Sequence, residues 1–332
     1  MRRMVAFLLA AVLCVMGFCA CGSEPIVRPP QALGSADLQA LKDLQAPYVG
    51  MVLKSLDGQF YPLIKAGAEA EADRLGVELI VVAADSENDA KGQAELVDIM
   101  ADMALDVLLV APCEESLLTD SLLRATENGK HVLAVDEPLS YSGSEGYIGV
   151  DDFAGGFREG AYAATVAAEP SAIILRGPGT SRNHSERTLG MRASLIRSGI
   201  TQITYYVCNT SREEAYQQTK ELLEQGETMG VICTTDDDMA LGAQQAVEES
   251  GKSIPIVSFD GTPDVLQLVE DGEISGVMLQ DAYEIGVRSV QDAVRVAEGE
   301  TIGDDYVSMD LVVQKTAGAR LDLLRQRLEN NE

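Results

Sequence analysis

Short apolar runs alternate with longer amphipathic segments along most of the chain, and this alternation constrains the fold more than any other feature. From Tyr48 onward the apolar runs are rich in β-branched residues, and the segments between them are about three times as long. Two of these segments, Phe60–Leu75 and Glu213–Gln225, are followed by a glycine, as helices commonly are. The pattern is typical of βαβ units, whose parallel sheets are buried on both faces. It predicts an α/β fold.

Ten apolar runs are predicted to be strands, which is many for one compact doubly wound sheet. The 332 residues, 46% of them hydrophobic, are sufficient for two cores. We therefore expect two doubly wound parallel sheets in two lobes. The predicted strands are Tyr48–Leu53, Glu78–Ala83, Val107–Ala111, His131–Val135, Tyr147–Val150, Ala172–Leu175, Gln202–Val207, Gly230–Thr234, Ile254–Phe259 and Ile274–Leu279.

The first residues have the organisation of an export signal. Arg2 and Arg3 precede an apolar run, Met4–Phe18, and small residues follow it. The end of this segment resembles the lipobox of bacterial lipoproteins, with Ala20 directly before Cys21. Residues 1–20 are therefore predicted to be a lipoprotein signal peptide, and Cys21 the lipid attachment site. A plain secretory signal that is cleaved nearby is the alternative.

Residues 21–46 contain three prolines and several glycines and serines, a composition typical of a tether. No later segment is apolar enough to span a membrane. The predicted protein is extracytoplasmic and held at the membrane by its lipidated N-terminus.

The charge of the chain argues against nucleic acid as a partner. Twenty-five basic residues stand against 53 acidic ones, which gives a net charge of −28, and such a surface repels polyanions. Apart from Cys21, three cysteines lie beyond the predicted signal, at positions 113, 208 and 233. An odd number makes no disulfide framework, so buried thiols are expected, with a single disulfide as the alternative.

Polar residues follow five of the predicted strands. They are Asp57, Asp136, Asp236, Asp260 and the pair Gln280-Asp281. Ligands of parallel α/β sheets bind outside the carboxyl ends of the strands. Although Asp at such a position commonly caps the following helix, five together favour a binding site. Carboxylates and an arginine such as Arg187 are suited to the hydroxyl groups of a sugar.

Five stretches carry a family resemblance: Asp57–Tyr61, Ala134–Pro138, Gly177–Thr188, Thr235–Ala243 and Phe259–Asp264. Through them the chain resembles the periplasmic sugar-binding proteins of the ribose and galactose type, from Tyr48 to about Thr316. The resemblance implies two Rossmann-like lobes joined by a three-segment hinge. It places residues 47–150 and 281–309 in the N-terminal lobe and residues 151–280 and 310–316 in the C-terminal lobe.

The function implied by the resemblance is capture of a sugar or sugar-like ligand and its delivery to the permease of an ABC importer. A monomer without cofactor, metal or catalytic residue is expected. The alternatives are a protein that presents its ligand to a membrane sensor or chemoreceptor and, less favoured, a carboxylate-based glycoside hydrolase. The candidate ligand-binding residues are Asp57, Phe60, Tyr61, Asp136, Glu137, Asn183, Arg187, Asp236, Asp260 and Gln280.

The chain departs from the family pattern at three places. Asp236 stands where Asn is frequent, Glu137 stands where a basic residue is frequent, and no aromatic residue stands at Asn209 or Thr210. These departures favour a small, acyclic or modified sugar. They also suggest a cationic ligand such as an amino sugar, unless Glu137 points to solvent and Asp236 is paired with a backbone donor.

The last residues, 317–332, have leucines at helical spacing among arginines and glutamates. They are predicted to form a C-terminal helix, which packs on its own lobe or contacts a partner.

Overall fold

The computed structural model describes residues 47–329. The predicted signal peptide, Cys21 and the tether lie outside the described residues, so they remain predictions. Twelve strands in this part of the chain form two six-stranded sheets, and ten α-helices connect and cover them. No helix in this part is long and apolar enough to cross a membrane.

The first sheet has the strand order β11-β5-β4-β3-β1-β2, and each neighbouring pair is parallel. Its strands are β1 (Tyr48–Leu53), β2 (Glu78–Ala83), β3 (Val107–Val110), β4 (His131–Val135), β5 (Ser144–Gly149) and β11 (Asp305–Tyr306). Its helices are α1 (Phe60–Leu75), α2 (Ala90–Asp102), α3 (Thr119–Glu127) and α9 (Ala282–Ala297).

The second sheet has the order β12-β10-β9-β8-β6-β7, in which only β12 is antiparallel to its neighbour. Its strands are β6 (Ser171–Arg176), β7 (Gln202–Val207), β8 (Val231–Thr234), β9 (Ile256–Asp260), β10 (Gly276–Gln280) and β12 (Met309–Val312). Its helices are α4 (Asp152–Val166), α5 (Arg182–Arg197), α6 (Arg212–Gln225), α7 (Asp237–Ser250) and α8 (Pro263–Asp271), followed by the C-terminal helix α10 (Gln314–Glu329).

The two α/β lobes with parallel-sheet cores confirm the predicted fold class. Each sheet is covered by apolar clusters of buried residues on both faces, as a parallel sheet requires. The chain passes between the sheets three times, after β5, after β10 and after β11.

The ten predicted strands are all present, with shifted ends at several of them. Strands β11 and β12 were not predicted, because they are short, lie at the sheet edges and contain charged residues. The C-terminal helix starts at Gln314 instead of residue 317. The three cysteines at 113, 208 and 233 are free and buried, so the alternative of a disulfide is wrong.

Glycines bring α4 and α5 unusually close together. A Cβ atom on Gly156 would lie 2.2 Å from the Arg187 carbonyl oxygen, and one on Gly190 would lie 2.3 Å from that of Phe153. No larger residue fits this crossing without a shift of the helices. The close approach sets the position of Arg187, which lies on the α5 side of the crossing.

Candidate functional site

A cavity of about 310 Å³ lies between the lobes, at the carboxyl ends of strands from both sheets. Eight of the ten predicted site residues line it: Phe60, Tyr61, Asp136, Asn183, Arg187, Asp236, Asp260 and Gln280. The cavity is of the size that small-molecule ligands occupy. The other two predicted residues, Asp57 and Glu137, do not line it.

Asp57 is exposed and lies outside the cavity lining, which corrects its prediction as a ligand-binding residue. Its backbone N–H donates to Ser55 Oγ at 2.9 Å, and the turn continues through Gly58 with a φ of 88°. This local turn places Gln59 and Phe60, instead of Asp57, at the cavity. The position of a residue directly after a strand indicates that its loop approaches the site. It does not indicate which side chain of that loop faces the cavity.

Asp136 lies at the end of β4 and is held from two sides. Tyr61 Oη donates to Asp136 Oδ2 at 2.9 Å, and Lys54 Nζ lies 3.8 Å from the same oxygen. Asp136 also has a φ of 62°, a conformation that is uncommon outside glycine. Burial raises the pKa of Asp136, while the nearby cations Lys54 and Arg187 lower it.

Glu137 is buried beneath the cavity wall. The alternative that its side chain points to solvent is therefore wrong. Its Oε2 lies 2.5 Å from Lys54 Nζ and accepts a hydrogen bond from Ser181 Oγ at 3.0 Å. Its Oε1 accepts from the backbone N–H of Arg182 at 2.5 Å, at the start of α5. Because Lys54 lies in the first lobe and Ser181 and Arg182 in the second, Glu137 connects the lobes.

Arg187 is the central cation of the second lobe. Its guanidinium pairs with Asp152 at 2.7 Å and with Asp260 at 3.2 Å, and it lies 3.9 Å above the Phe259 ring. It also donates to the Thr235 carbonyl at 2.8 Å. Although burial disfavours the charge, the two carboxylates raise the pKa of Arg187 above its usual value. Arg187 therefore stays charged and fixed.

Asp260 and Gln280 end neighbouring strands, β9 and β10. Gln280 Nε2 donates to Asp260 Oδ1 at 2.6 Å, the oxygen that also accepts from Arg187. Gln280 Oε1 is buried and has no hydrogen-bond partner among the described residues. Asn183 is in the same situation, because its Nδ2 donates to the Asp136 carbonyl at 3.0 Å while its Oδ1 is buried without a partner.

Asp236 caps the N-terminus of α7, where its Oδ1 accepts from the Met239 N–H at 2.8 Å. Its Oδ2 is buried and unpaired within the described part of the chain. The backbone pairing expected as an alternative is thus present, but for one of the two oxygens only. Burial, together with the negative charges of Asp238 and Glu87, raises the pKa of Asp236 well above its usual range.

The aromatic pair is divided between core and cavity. Tyr61 is buried and belongs to the apolar core of the first lobe, and it touches the cavity lining as well. Phe60 is half-buried, lines the cavity and meets Tyr61 edge to face at a centroid distance of 5.2 Å. Leu241 is an apolar side chain that the second lobe contributes to the lining. Phe60 thus offers the flat apolar surface suited to the C–H face of a ring.

Several lining residues were not predicted: Lys54, Gln59, Glu87, His184, Arg212, Asp237, Asp238 and Asp264. Lys54 directly follows β1, so inspection of strand ends for basic residues would have found it. Glu87 lies in a loop four residues beyond β2, where no sequence pattern marks it.

The lobes contact each other directly across the cavity mouth. Gln59 Oε1 of the first lobe accepts from the Asp264 N–H at 3.1 Å, and Asn88 Nδ2 donates to the Asn209 carbonyl at 2.9 Å. Together with the Glu137 contacts, these hydrogen bonds hold the lobes in a closed arrangement.

The described residues of this site form neither a metal centre nor a nucleophile with its base. No group of three or more His, Cys, Asp or Glu side chains in residues 47–329 could hold a metal ion. His184 Nδ1 is 2.8 Å from Thr235 Oγ1, and burial lowers its pKa well below the usual value, so the ring stays neutral. The arrangement is that of a binding site with fixed hydrogen-bonding groups.

The comparisons with known proteins agree with this geometry. The model of the periplasmic binding protein domain matches residues 49–301. The ribose import binding protein of Escherichia coli K12 is 27% identical, over 80% of this chain and 90% of that protein. The xylitol-binding protein of Mycolicibacterium smegmatis is 28% identical, over 82% of this chain and 77% of that protein.

A solved structure with the same fold is the ABC transporter solute binding protein of Bacillus halodurans with bound myo-inositol. Its TM-score is 0.76 at 22% identity, over 83% of this chain and 97% of that one. The curated relatives are binding proteins and not enzymes. The chain belongs to the periplasmic binding protein domain family.

Proposed function

We propose that the protein captures a small polyhydroxylated ligand in the cavity between its lobes and delivers it to an ABC importer while anchored to the membrane through lipidated Cys21. The observation that carries the ligand class is a set of three buried acceptors at the cavity that have no partner within residues 47–329: Asp236 Oδ2, Asn183 Oδ1 and Gln280 Oε1. Buried acceptors without partners are costly. A ligand rich in hydroxyl donors satisfies all three.

The remaining groups complement such a ligand. Arg187 is fixed by Asp152 and Asp260 and donates towards ring or hydroxyl oxygens, and Phe60 covers one face of the ligand. The named ligands of the relatives, ribose and xylitol, are of this class. Because the second lobe contributes Leu241 and no Phe, Tyr or Trp to the described lining, we favour a small or acyclic polyol over a stacked hexose.

The cycle of capture and release follows from the two-lobe organisation. We place residues 47–150 and 281–309 in one moving body and residues 151–280 and 310–316 in the other. Ligand bound to both bodies favours the closed state. The Glu137 contacts, which span the lobes, exist in that state, and the closed surface is the one presented to the permease.

A thermal-shift screen of the purified full-length protein tests the ligand class. The panel contains pentoses, hexoses, amino sugars, alditols and nucleosides. Ligand at about a thousand times its Kd stabilises the folded state by about 4 kcal/mol, so we expect a clear rise in Tm for one class. A folded protein that responds to none of these compounds contradicts the proposed ligand class.

Lipid attachment and delivery have separate tests. Cys21→Ala is expected to abolish incorporation of labelled palmitate and to release the protein from the membrane fraction, whereas Cys19→Ala retains both. Cells without the protein are expected to lose uptake of the ligand that the screen identifies. Unchanged uptake contradicts delivery to an importer and favours presentation to a sensor.

A further inference from the structure

The charges around the cavity do not balance. Seven carboxylate side chains line it against three basic ones. Two of the basic side chains are already engaged: Lys54 with Glu137, and Arg187 with Asp152 and Asp260. The third, Arg212, lies exposed at the rim. The cavity is therefore lined by more carboxyl groups than its basic side chains pair.

Most of that excess is concentrated around Asp236. Asp237, the next residue, accepts hydrogen bonds from Ser258, Gly261 and Thr262. Both of its carboxylate oxygens are therefore already paired. Asp236 differs, because its Oδ2 is buried at the cavity and unpaired in the described structure, and the residue itself is only 7% exposed.

Two further carboxylates, one from each lobe, interact electrostatically with Asp236. Glu87, from the first lobe, and Asp238, from the first turn of α7, both line the cavity, and both act on Asp236 through their negative charge. Asp238 also lies against the loop of the first lobe, since a Cβ atom on Gly58 would be 3.3 Å from its Oδ2. Carboxylates from both lobes thus converge on one side of the cavity when the lobes are closed.

We propose that the ligand is a polyol that carries a protonated amine, an amino sugar or amino-alditol, and that its ammonium group binds at Asp236, with Glu87 and Asp238 completing the anionic subsite. This inference rests on the proposed function and specifies its ligand. An ammonium group supplies up to three donors and a full positive charge, so it pairs Asp236 Oδ2 and favours the ionised forms of Asp236, Glu87 and Asp238.

A bound metal ion accounts for these observations less well. A hard cation such as Ca²⁺ takes six to eight oxygen ligands. The described residues contain no cluster with metal-binding geometry. An ammonium group requires only hydrogen-bond acceptors on one side and leaves the hydroxyl groups free for Asn183, Gln280 and Arg187.

Calorimetric titration of the full-length protein with matched pairs tests this proposal. Each pair differs only at the amine: D-glucosamine with D-glucose, D-galactosamine with D-galactose, and 1-amino-1-deoxy-D-sorbitol with D-sorbitol. N-Acetyl-D-glucosamine provides a nitrogen without the charge. We expect at least tenfold tighter binding of the amine in at least one pair, and weaker binding of the acetylated form.

The variant that isolates the interaction is Asp236→Asn. Asparagine keeps the N-cap of α7 and removes the charge, so the fold is retained. We expect the preference for the amine to fall at least tenfold. Glu87→Gln, which lies outside any helix cap, is a second variant with a smaller loss in the same direction. Asp322→Asn, an exposed position on α10, removes one charge elsewhere and leaves the preference unchanged.

The outcomes separate this inference from the proposed function. Tighter binding of the amine that depends on Asp236 supports the inference. Equal or tighter binding of the neutral partner overturns it but leaves polyol binding intact. If no compound of the panel and none of the neutral pentoses or alditols binds to the folded protein, both are overturned.

Discussion

The Glu137 carboxylate accepts a hydrogen bond from the backbone N–H of Arg182 at 2.5 Å, and this contact joins the end of β4 in one lobe to the first turn of α5 in the other. The same carboxylate lies 2.5 Å from Lys54 Nζ. A negative charge at a helix N-terminus is stabilising. Glu137 thus stabilises the closed arrangement of the lobes without lining the cavity. The sequence pattern had predicted it to be a ligand-binding residue.

Glu137→Gln is expected to weaken ligand binding about tenfold. Glutamine keeps the size of the side chain but removes the charge at the start of α5 and leaves Lys54 buried with a poorer partner. Because Glu137 does not line the cavity, the loss reflects less favourable closure. Calorimetry measures it, and Glu127→Gln, at an exposed position on α3, is the matched control. Unchanged affinity contradicts this role.

Gly156→Ala is expected to lower both stability and affinity. The added Cβ lies 2.2 Å from the Arg187 carbonyl oxygen, so α4 and α5 must separate, at a cost of about 1–3 kcal/mol. The shift displaces Arg187 from Asp260. Chemical denaturation gives the stability and titration the affinity. Gly303→Ala, where a Cβ meets nothing within 4 Å, is expected to change neither. Equal effects of both substitutions contradict the packing argument.

The stability of the unliganded protein is expected to fall as pH rises towards 8, and Glu87 contributes to this fall. Burial raises the pKa of Glu87 to about 7, Asp136 and Asp238 raise it as well, and Lys54 and Arg187 lower it. A carboxyl group with a raised pKa stabilises the folded state below its unfolded pKa, and this contribution is lost as pH rises through 7.

We expect this group to account for about 1–2 kcal/mol of the difference in unfolding free energy between pH 5 and pH 8. Glu87→Gln removes that part of the difference. Urea denaturation at several pH values measures it in both proteins. The same pH profile for wild type and variant contradicts an elevated pKa at this position.

The C-terminal helix is expected to stabilise both lobes. Leu321 belongs to the buried core of the second lobe, while Leu328 packs against the core of the first. Arg327 pairs with Asp281, which follows β10 at one of the crossings between the sheets, at 2.7 Å. Of the two alternatives for this helix, packing on its own chain is observed, and it extends to both lobes.

Leu321→Ala is therefore expected to lower the unfolding free energy by about 2–4 kcal/mol. The neighbouring Leu323 is 38% exposed, so Leu323→Ala is expected to cost much less. Thermal or urea denaturation distinguishes the two. Equal losses show that the helix is not anchored by the face that carries Leu321.

The part of the site that lies on strand ends was predictable from sequence. Asp136, Asp236, Asp260 and Gln280 follow buried strands, and parallel strands bring their carboxyl ends to one edge. Glu87 lies in a loop and Asp264 at a helix start, where no strand end marks them. Asp57 was misplaced because a local turn at Ser55 directs it to solvent. The hydrophobic periodicity of a sequence does not show where distant loops lie relative to each other in the fold.

The role of Lys54 shows a second limit. It follows a fully buried strand and is itself only 4% exposed, yet its partners Asp136 and Glu137 lie 82 and 83 residues further along the chain. From the sequence, the negative charge of Glu137 was expected to face the ligand. In the structure Lys54 pairs with Glu137 and neutralises that charge. Sequence identifies the charged groups, but their pairing requires the fold.

Calorimetric titration of wild type and Gln280→Leu with the tightest ligand from the screen tests most directly whether the ligand binds in the cavity between the lobes. The substitution removes the unpaired acceptor Oε1 and the donor to Asp260 while it keeps the side chain close in size. We expect a single saturable site in the wild type and at least tenfold weaker binding in the variant. Wild-type affinity in a folded Gln280→Leu protein would place the ligand outside the cavity between the lobes and contradict the proposed binding site.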